Sequence, residues 1–134
     1  MFELHPQLTK DCVDIGCLEL CQVLLLNDSH YPWVILVPQR EGVTEIYQLD
    51  DADQVQLMVE SSAVAKAMAD FFQADKMNMA ALGNQVPQLH IHHIVRYKSD
   101  LSWPKPVWGA VEASAYEPDE LKKYLQALRE LLLD

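Results

Sequence analysis

The chain has 134 residues, half of them hydrophobic and 22% charged, with 20 acidic against 10 basic side chains and a formal net charge of −10. That length suits one compact domain (1–134) with a real core, and no apolar stretch approaches the roughly 18 residues of a membrane span. The acidic balance argues against nucleic acid polymers and anionic lipid surfaces as partners, because both select basic patches. A small phosphate-bearing ligand needs only a few local donors, and Arg40, Arg96, Lys98 and Lys105 are the candidates for positive potential beside a pocket.

Met1, Phe2, Glu3, Leu4 and His5 lack the basic start and apolar segment of a secretory signal. Cys12, Cys17 and Cys21 are odd in number and imply no disulfide framework, so a reducing cytoplasmic setting is expected. Leu18 to Leu26 (LELCQVLLL) predicts a strand stopped by the turn formers Asn27, Asp28 and Ser29. Cys17 and Cys21, at even spacing across the start of this strand, read as small buried side chains rather than a zinc pair with His5 or His30. Trp33 to Val37 (WVILV) predicts a second strand, antiparallel to the first.

From Asp51 to Phe72 the spacing becomes helical, with Val55, Met58, Val59, Ala65, Met68 and Phe72 on the expected packed side. Asp50, Asp51 and Asp53 mark its start, where carboxylates cap free N–H groups and complement the helix dipole. Lys76 to Leu82 predicts a strand ending at Gly83-Asn84, and Gln88 to Tyr97 (QLHIHHIVRY) predicts its antiparallel partner. Between Asp100 and Gly109, Pro104 and Pro106 exclude regular structure, yet Trp103 and Trp108 are too apolar to stay in water, so this loop is expected to fold back. Pro118 to Leu133 predicts an amphipathic closing helix. The order defines an α+β chain: one antiparallel sheet with helices packed on it.

Side chains alternate along a strand, so Gln88, His90, His92, Ile94 and Arg96 share one face, while Leu89, Ile91, His93 and Val95 share the other. The second face is nearly all apolar and belongs against helices, which leaves His90 and His92 lining a cleft. His93 reads as a packed, hydrogen-bonded core histidine. Two imidazoles on one face can divide labour at phosphorus: one attacks through a neutral nitrogen, the other donates a proton or stabilises phosphate oxygens. That chemistry requires neither a metal nor a cofactor. It does require that the attacking ring be held by an acceptor on its second nitrogen.

The stretch from Gly83 to Val95, GNQVPQLHIHHIV, resembles the signature of the histidine-triad (HIT) family, a Gly-containing turn leading into His-φ-His-φ-His-φ-φ, with φ apolar. In this register Gln88 takes the first triad position, His90 the second and His92 the third. The resemblance implies a five-stranded antiparallel sheet with helices, usually a two-fold homodimer, and a nucleotide hydrolase or transferase acting on a phosphoramidate or phosphoanhydride. It makes His90 the nucleophile of a nucleotidyl-histidine intermediate and His92 the contact to the scissile phosphate. Asn27 falls where relatives bond the ribose hydroxyls, and Asn84 and Gln85 fall in the phosphate-proximal turn. The resemblance spans about Leu18 to Val95, so 100–134 lies outside the general signature. Two positions depart from the pattern. Gln88 replaces the first histidine but still offers the backbone carbonyl that would orient His90, and Trp33 stands where many relatives carry another histidine. The alternative reading is a nucleotide sensor or adaptor whose catalysis has weakened.

Overall fold

The computed structural model describes residues 1–133. In chain order it comprises α1 (Pro6–Asp11), β1 (Cys12–Cys17), β2 (Cys21–Leu26), β3 (Trp33–Pro38), a 3-10 turn at Ile46–Gln48, α2 (Asp51–Phe72), β4 (Lys76–Ala80), β5 (Ile91–Arg96) and α3 (Pro118–Leu133). The five strands form one sheet in the order β1-β2-β3-β5-β4, and every neighbouring pair is antiparallel. This is the α+β architecture that the pattern of elements predicts. No described helix is long and apolar enough to cross a membrane.

All six residues of β3 and all six of β5 are buried, because both faces of the sheet are covered. Alternation along these strands therefore decides which of two cores a side chain joins, which is why WVILV reads as an unbroken apolar run. Val34, Leu36, Ile91 and Val95 point to the side where Leu57, Val64 and Met68 of α2 and Leu128 of α3 pack. Trp33, Ile35, Val37 and Ile94 point to the other side, against Leu8 of α1, Tyr31 and Val107. Each such large apolar side chain contributes roughly 1.5–3 kcal/mol relative to exposure.

The structure differs from the sequence reading at four places. Leu18 to Leu26 is not one strand: the chain turns at 18–20, so Cys17 ends β1 and is exposed while Cys21 begins β2 and is buried. The turn is held by the Glu60 carboxylate, which accepts the N–H groups of Leu20 and Cys21 at 2.8 and 2.9 Å. That bond also explains the second difference. Helix α2 buries Leu57, Glu60, Ser61, Val64 and Met68, whereas Val55, Met58 and Val59 are more than half exposed. Met68 and Phe72 pack as expected, but the first half of the apolar stripe faces outward because Glu60 and Ser61 on the inner face have partners there. Third, α1 and β1 carry too little periodicity to be seen in advance. Fourth, β5 starts at Ile91 rather than Gln88, which leaves Gln88, Leu89 and His90 in an irregular approach to the sheet.

The expected N-terminal cap of α2 is present, and its C-terminal end has its own cap. Asp50 accepts the Asp53 N–H at 2.8 Å at the start of α2, and α2 ends in a left-handed Gln73 (φ 53°). Helix α3 lies along β1, where Arg129 donates to the carbonyls of Ile15 and Asp14.

Candidate active site

His90 immediately precedes β5 and His92 is its second residue, so one strand delivers both rings to the same side of the sheet, with centroids 4.9 Å apart. Both are buried, at 5% and 6% exposure. His90 Nδ1 lies 2.7 Å from the Gln88 carbonyl. A carbonyl only accepts, so Nδ1 carries a proton, and in the neutral ring Nε2 is the nitrogen with the lone pair. His92 makes two contacts: its Nδ1 accepts the indole N–H of Trp33 at 3.0 Å, and its Nε2 lies 3.2 Å from the Leu82 carbonyl. Burial, reinforced by the adjacent His90, pushes the His92 imidazole from 6.5 down to about 4, against the opposing pull of the Leu82 carbonyl. His93 points the other way, into the α2 core, with Nδ1 on the Ile91 carbonyl and Nε2 on Ser61 Oγ, and burial pushes it to about 4 as well.

The two histidines open onto a cavity of about 490 Å³. Gln7, Leu8 and Asp11 of α1 form one wall, and Leu26, Trp33 and Ile35 form its sheet floor. Asn84, Gln85 and Val86 of the turn before β5 face it together with Trp108. Gly83 lets that turn come close: a Cβ there would stand 2.7 Å from the Val86 carbonyl oxygen and 3.4 Å from His90 Cε1. The wall at α1 is tied to the site by Gln88. Its Oε1 accepts the His5 N–H and its Nε2 donates to the Glu3 carbonyl, both at 2.8 Å.

The proline-bearing loop folds back as expected, although it buries Val107 while Trp103 is half-buried and Trp108 stays 38% exposed. Arg96, only 2% exposed, is the hub. It donates to both carboxylate oxygens of Asp100, to Asn78 Oδ1, to Ser102 Oγ and to the Lys105 carbonyl, between the rings of Tyr31 and Trp103. The Arg96 bond holds the Asp100 carboxyl down at about 2, helped by the N–H groups of Tyr97, Ser102 and Trp103. The loop then sets Trp108 edge-on to His92, with ring centroids 5.1 Å apart, and to Trp33 at 5.7 Å.

Among the residues singled out in the sequence, His90, His92, Asn84 and Gln85 meet at this cavity, and Gln88 enters through its carbonyl. Asn27 is not among the lining residues; its Oδ1 accepts the Tyr116 N–H at 2.9 Å, while its neighbour Leu26 lines the floor. None of Arg40, Arg96, Lys98 and Lys105 lines the cavity, so the expected positive potential beside it is absent there. Arg40 pairs with Asp53 and Arg96 with Asp100. Among the described residues no group of three His, Cys, Asp or Glu side chains is placed to hold a metal. The contribution of α1 and the Trp33 bond were missed. The sequence carried no signal for the Trp33 bond, since the pairing of Ile35 with His92 that brings the two rings together is a property of the folded sheet.

Two histidines presented in this way from an antiparallel five-stranded sheet define a protein of the histidine-triad class, and the family model described as HIT domain matches residues 7–99. The chain belongs to the histidine triad family. Among solved structures it is similar to a histidine triad protein from Marinobacter aquaeolei VT8, with 49% identity, 99% of this chain and 97% of that one covered, and a TM-score of 0.97. A histidine triad protein from Bradyrhizobium japonicum is 45% identical, covering 98% of each chain at a TM-score of 0.95. One from Sinorhizobium meliloti 1021 is 41% identical, covering 98% of each chain at a TM-score of 0.95. No curated protein matches the chain significantly.

Proposed function

We propose that the protein is a nucleotide hydrolase or transferase that works through a nucleotidyl-His90 intermediate. The observation that carries this reading is the 2.7 Å bond from His90 Nδ1 to the Gln88 carbonyl, which leaves Nε2 as a neutral nucleophile facing the cavity. The Nε2 lone pair attacks the α-phosphorus of a nucleoside phosphoramidate or phosphoanhydride. The P–N or P–O bond breaks, and the leaving group departs with its electron pair and takes up a proton from solvent. Water, or a second acceptor, then attacks phosphorus and gives its proton back to solvent, the P–Nε2 bond breaks, and His90 returns to its starting tautomer. Gln88 sits at the first triad position in this reading and acts by its main chain, so the missing imidazole costs no step.

His92, Asn84 and Gln85 are the donors available to the phosphoryl oxygens, and a ribose contact by Asn27 would fall to its amide nitrogen, since Tyr116 occupies the oxygen. Because Asp11 and no Lys or Arg lines the cavity, a substrate with a single negative charge at phosphorus fits better than a polyphosphate chain. The working protein is proposed to be a homodimer. Val55, Met58 and Val59 of α2 and Met79 of the edge strand β4 are exposed apolar side chains, and β4 has an unpaired backbone edge, which a second copy would cover. Its three unpaired cysteines fit a cytoplasmic setting.

The test is nucleotide release from adenosine and guanosine phosphoramidates and dinucleoside polyphosphates, without added metal, by the native protein and His90→Ala. Turnover that vanishes in the variant supports the reading. Binding without turnover in both would make the protein a nucleotide sensor instead. Light scattering that gives a monomer at micromolar concentration would remove the dimer.

A further inference from the structure

We propose that Trp33 is a positioning residue that locks His92 in one neutral tautomer, with its proton on Nε2, so that His92 serves as an uncharged hydrogen-bond donor to the phosphoryl group rather than as an imidazolium. The argument begins with what an indole can do. Its Nε1–H is a donor with no accepting capacity. At 3.0 Å from His92 Nδ1, it fixes that nitrogen as the lone-pair side, and the ring's single proton must then sit on Nε2, aimed at the Leu82 carbonyl 3.2 Å away. Both bonds are satisfied only in this form.

A second proton on Nδ1 would set two N–H groups against each other inside a contact where both rings are 6% exposed. Charging His92 therefore means breaking the Trp33 bond. The rotational alternative forfeits both bonds, because a flipped ring puts Cδ2–H in place of Nδ1 at the Trp33 indole and Cε1–H in place of Nε2 at the Leu82 carbonyl. The titratable groups around the ring do not reverse this. His90 stands beside it on the same strand approach, His93 follows it on the opposite face, and Asp11 of α1 lines the same cavity; β3, the 82–86 turn and the Trp108 loop bring no charged side chain to that cavity. The depressed titration of His92 agrees with the geometry.

The catalytic consequence rests on the nucleotidyl-transfer reading above. A phosphoryl oxygen entering the cavity replaces the long Leu82 contact and takes the same Nε2–H, so His92 stabilises the developing charge without gaining or losing a proton. A neutral donor of this kind keeps its function across mildly acidic pH, where an imidazole with an ordinary midpoint would change charge.

The experiment is nitrogen-15 NMR of the imidazoles in the full-length native protein and in Trp33→Phe. In the native protein His92 should show a protonated Nε2 and an accepting Nδ1, with a scalar coupling across the hydrogen bond to the Trp33 indole nitrogen and no titration between about pH 5 and pH 8. In Trp33→Phe the coupling should vanish, both tautomers should be populated, and the His92 midpoint should rise by about one unit. A native His92 protonated on Nδ1 would overturn the proposal even if the variant failed to fold. So would a folded variant with unchanged tautomer and midpoint. The failure of the nucleotidyl-transfer reading is seen separately, as the absence of a covalent adduct on His90, and leaves the tautomer measurement intact.

Discussion

Replacing Gln88 with Ala separates the two things this residue does. The main-chain carbonyl that orients His90 remains, while the side-chain bonds to His5 N–H and the Glu3 carbonyl, each 2.8 Å long, are lost. Net hydrogen bonds of this type are worth about 0.5–1.5 kcal/mol each, and one of the pair is exposed, so together they contribute about 1.5 kcal/mol to holding residues 3–8 against the cavity. Opening of that segment should become roughly tenfold more frequent, and hydrogen exchange of the amides in 3–9, read by mass spectrometry, should accelerate by the same factor. Amides of β3 and β5 should not change. Because Gln7, Leu8 and Asp11 form a cavity wall, KM should rise while kcat stays near native. Unchanged exchange in 3–9, or a collapse of kcat with KM preserved, would refute the division of labour. Gln88→His, which keeps the carbonyl, should retain or raise turnover.

Stability should depend on pH in a defined direction. His92 and His93 are held near 4 against 6.5, so the unfolded chain takes up protons first as pH falls. Unfolding free energy should be greatest above pH 6.5 and decline toward pH 4, by up to about 3 kcal/mol per histidine. Urea titrations at pH 7 and near pH 4 check this, and equal stabilities would contradict it. Arg96→Met strands the buried Asp100 carboxylate and should cost about 3–5 kcal/mol. It should also release Trp108, seen as a red shift in its fluorescence, whereas a native-like spectrum would mean that the loop is held by other contacts. Finally, nucleoside phosphoramidates should exceed dinucleoside polyphosphates in kcat/KM by at least about tenfold, the equivalent of roughly 1.4 kcal/mol of charge repulsion. The reverse preference would show that cations reach the cavity from outside the lining described.

What was legible in the sequence follows from where one signal acts alone. The antiparallel pairings of β2 with β3 and β4 with β5 rest on apolar runs bounded by turn formers, and they stand in the structure. The paired histidines were legible because alternation needs no tertiary knowledge. The packed face of α2 was not, because Glu60 and Ser61 are inside only by virtue of bonds to Leu20, Cys21 and His93, residues 32 to 40 positions distant. The same long-range dependence hid α1 from the site: nothing in Gln7, Leu8 or Asp11 announces a cavity wall until Gln88 ties the segment down, 83 and 85 positions away. Arg96 was open to reading as a solvated strand end, and only the returning loop makes it a buried hub. Trp33 stands out as a departure from the family pattern, but its partner His92 lies across the sheet and is brought to it only by the fold.

The central claim is that His90 Nε2 is the attacking atom. The most direct measurement is intact-protein and peptide mass spectrometry of the native protein, acid-sensitive adducts preserved, quenched during turnover of an adenosine phosphoramidate. The account predicts a mass gain of one nucleotidyl group, located at His90, that decays with product release and is absent in His90→Ala. Turnover with no adduct, or an adduct on any other residue, would contradict it.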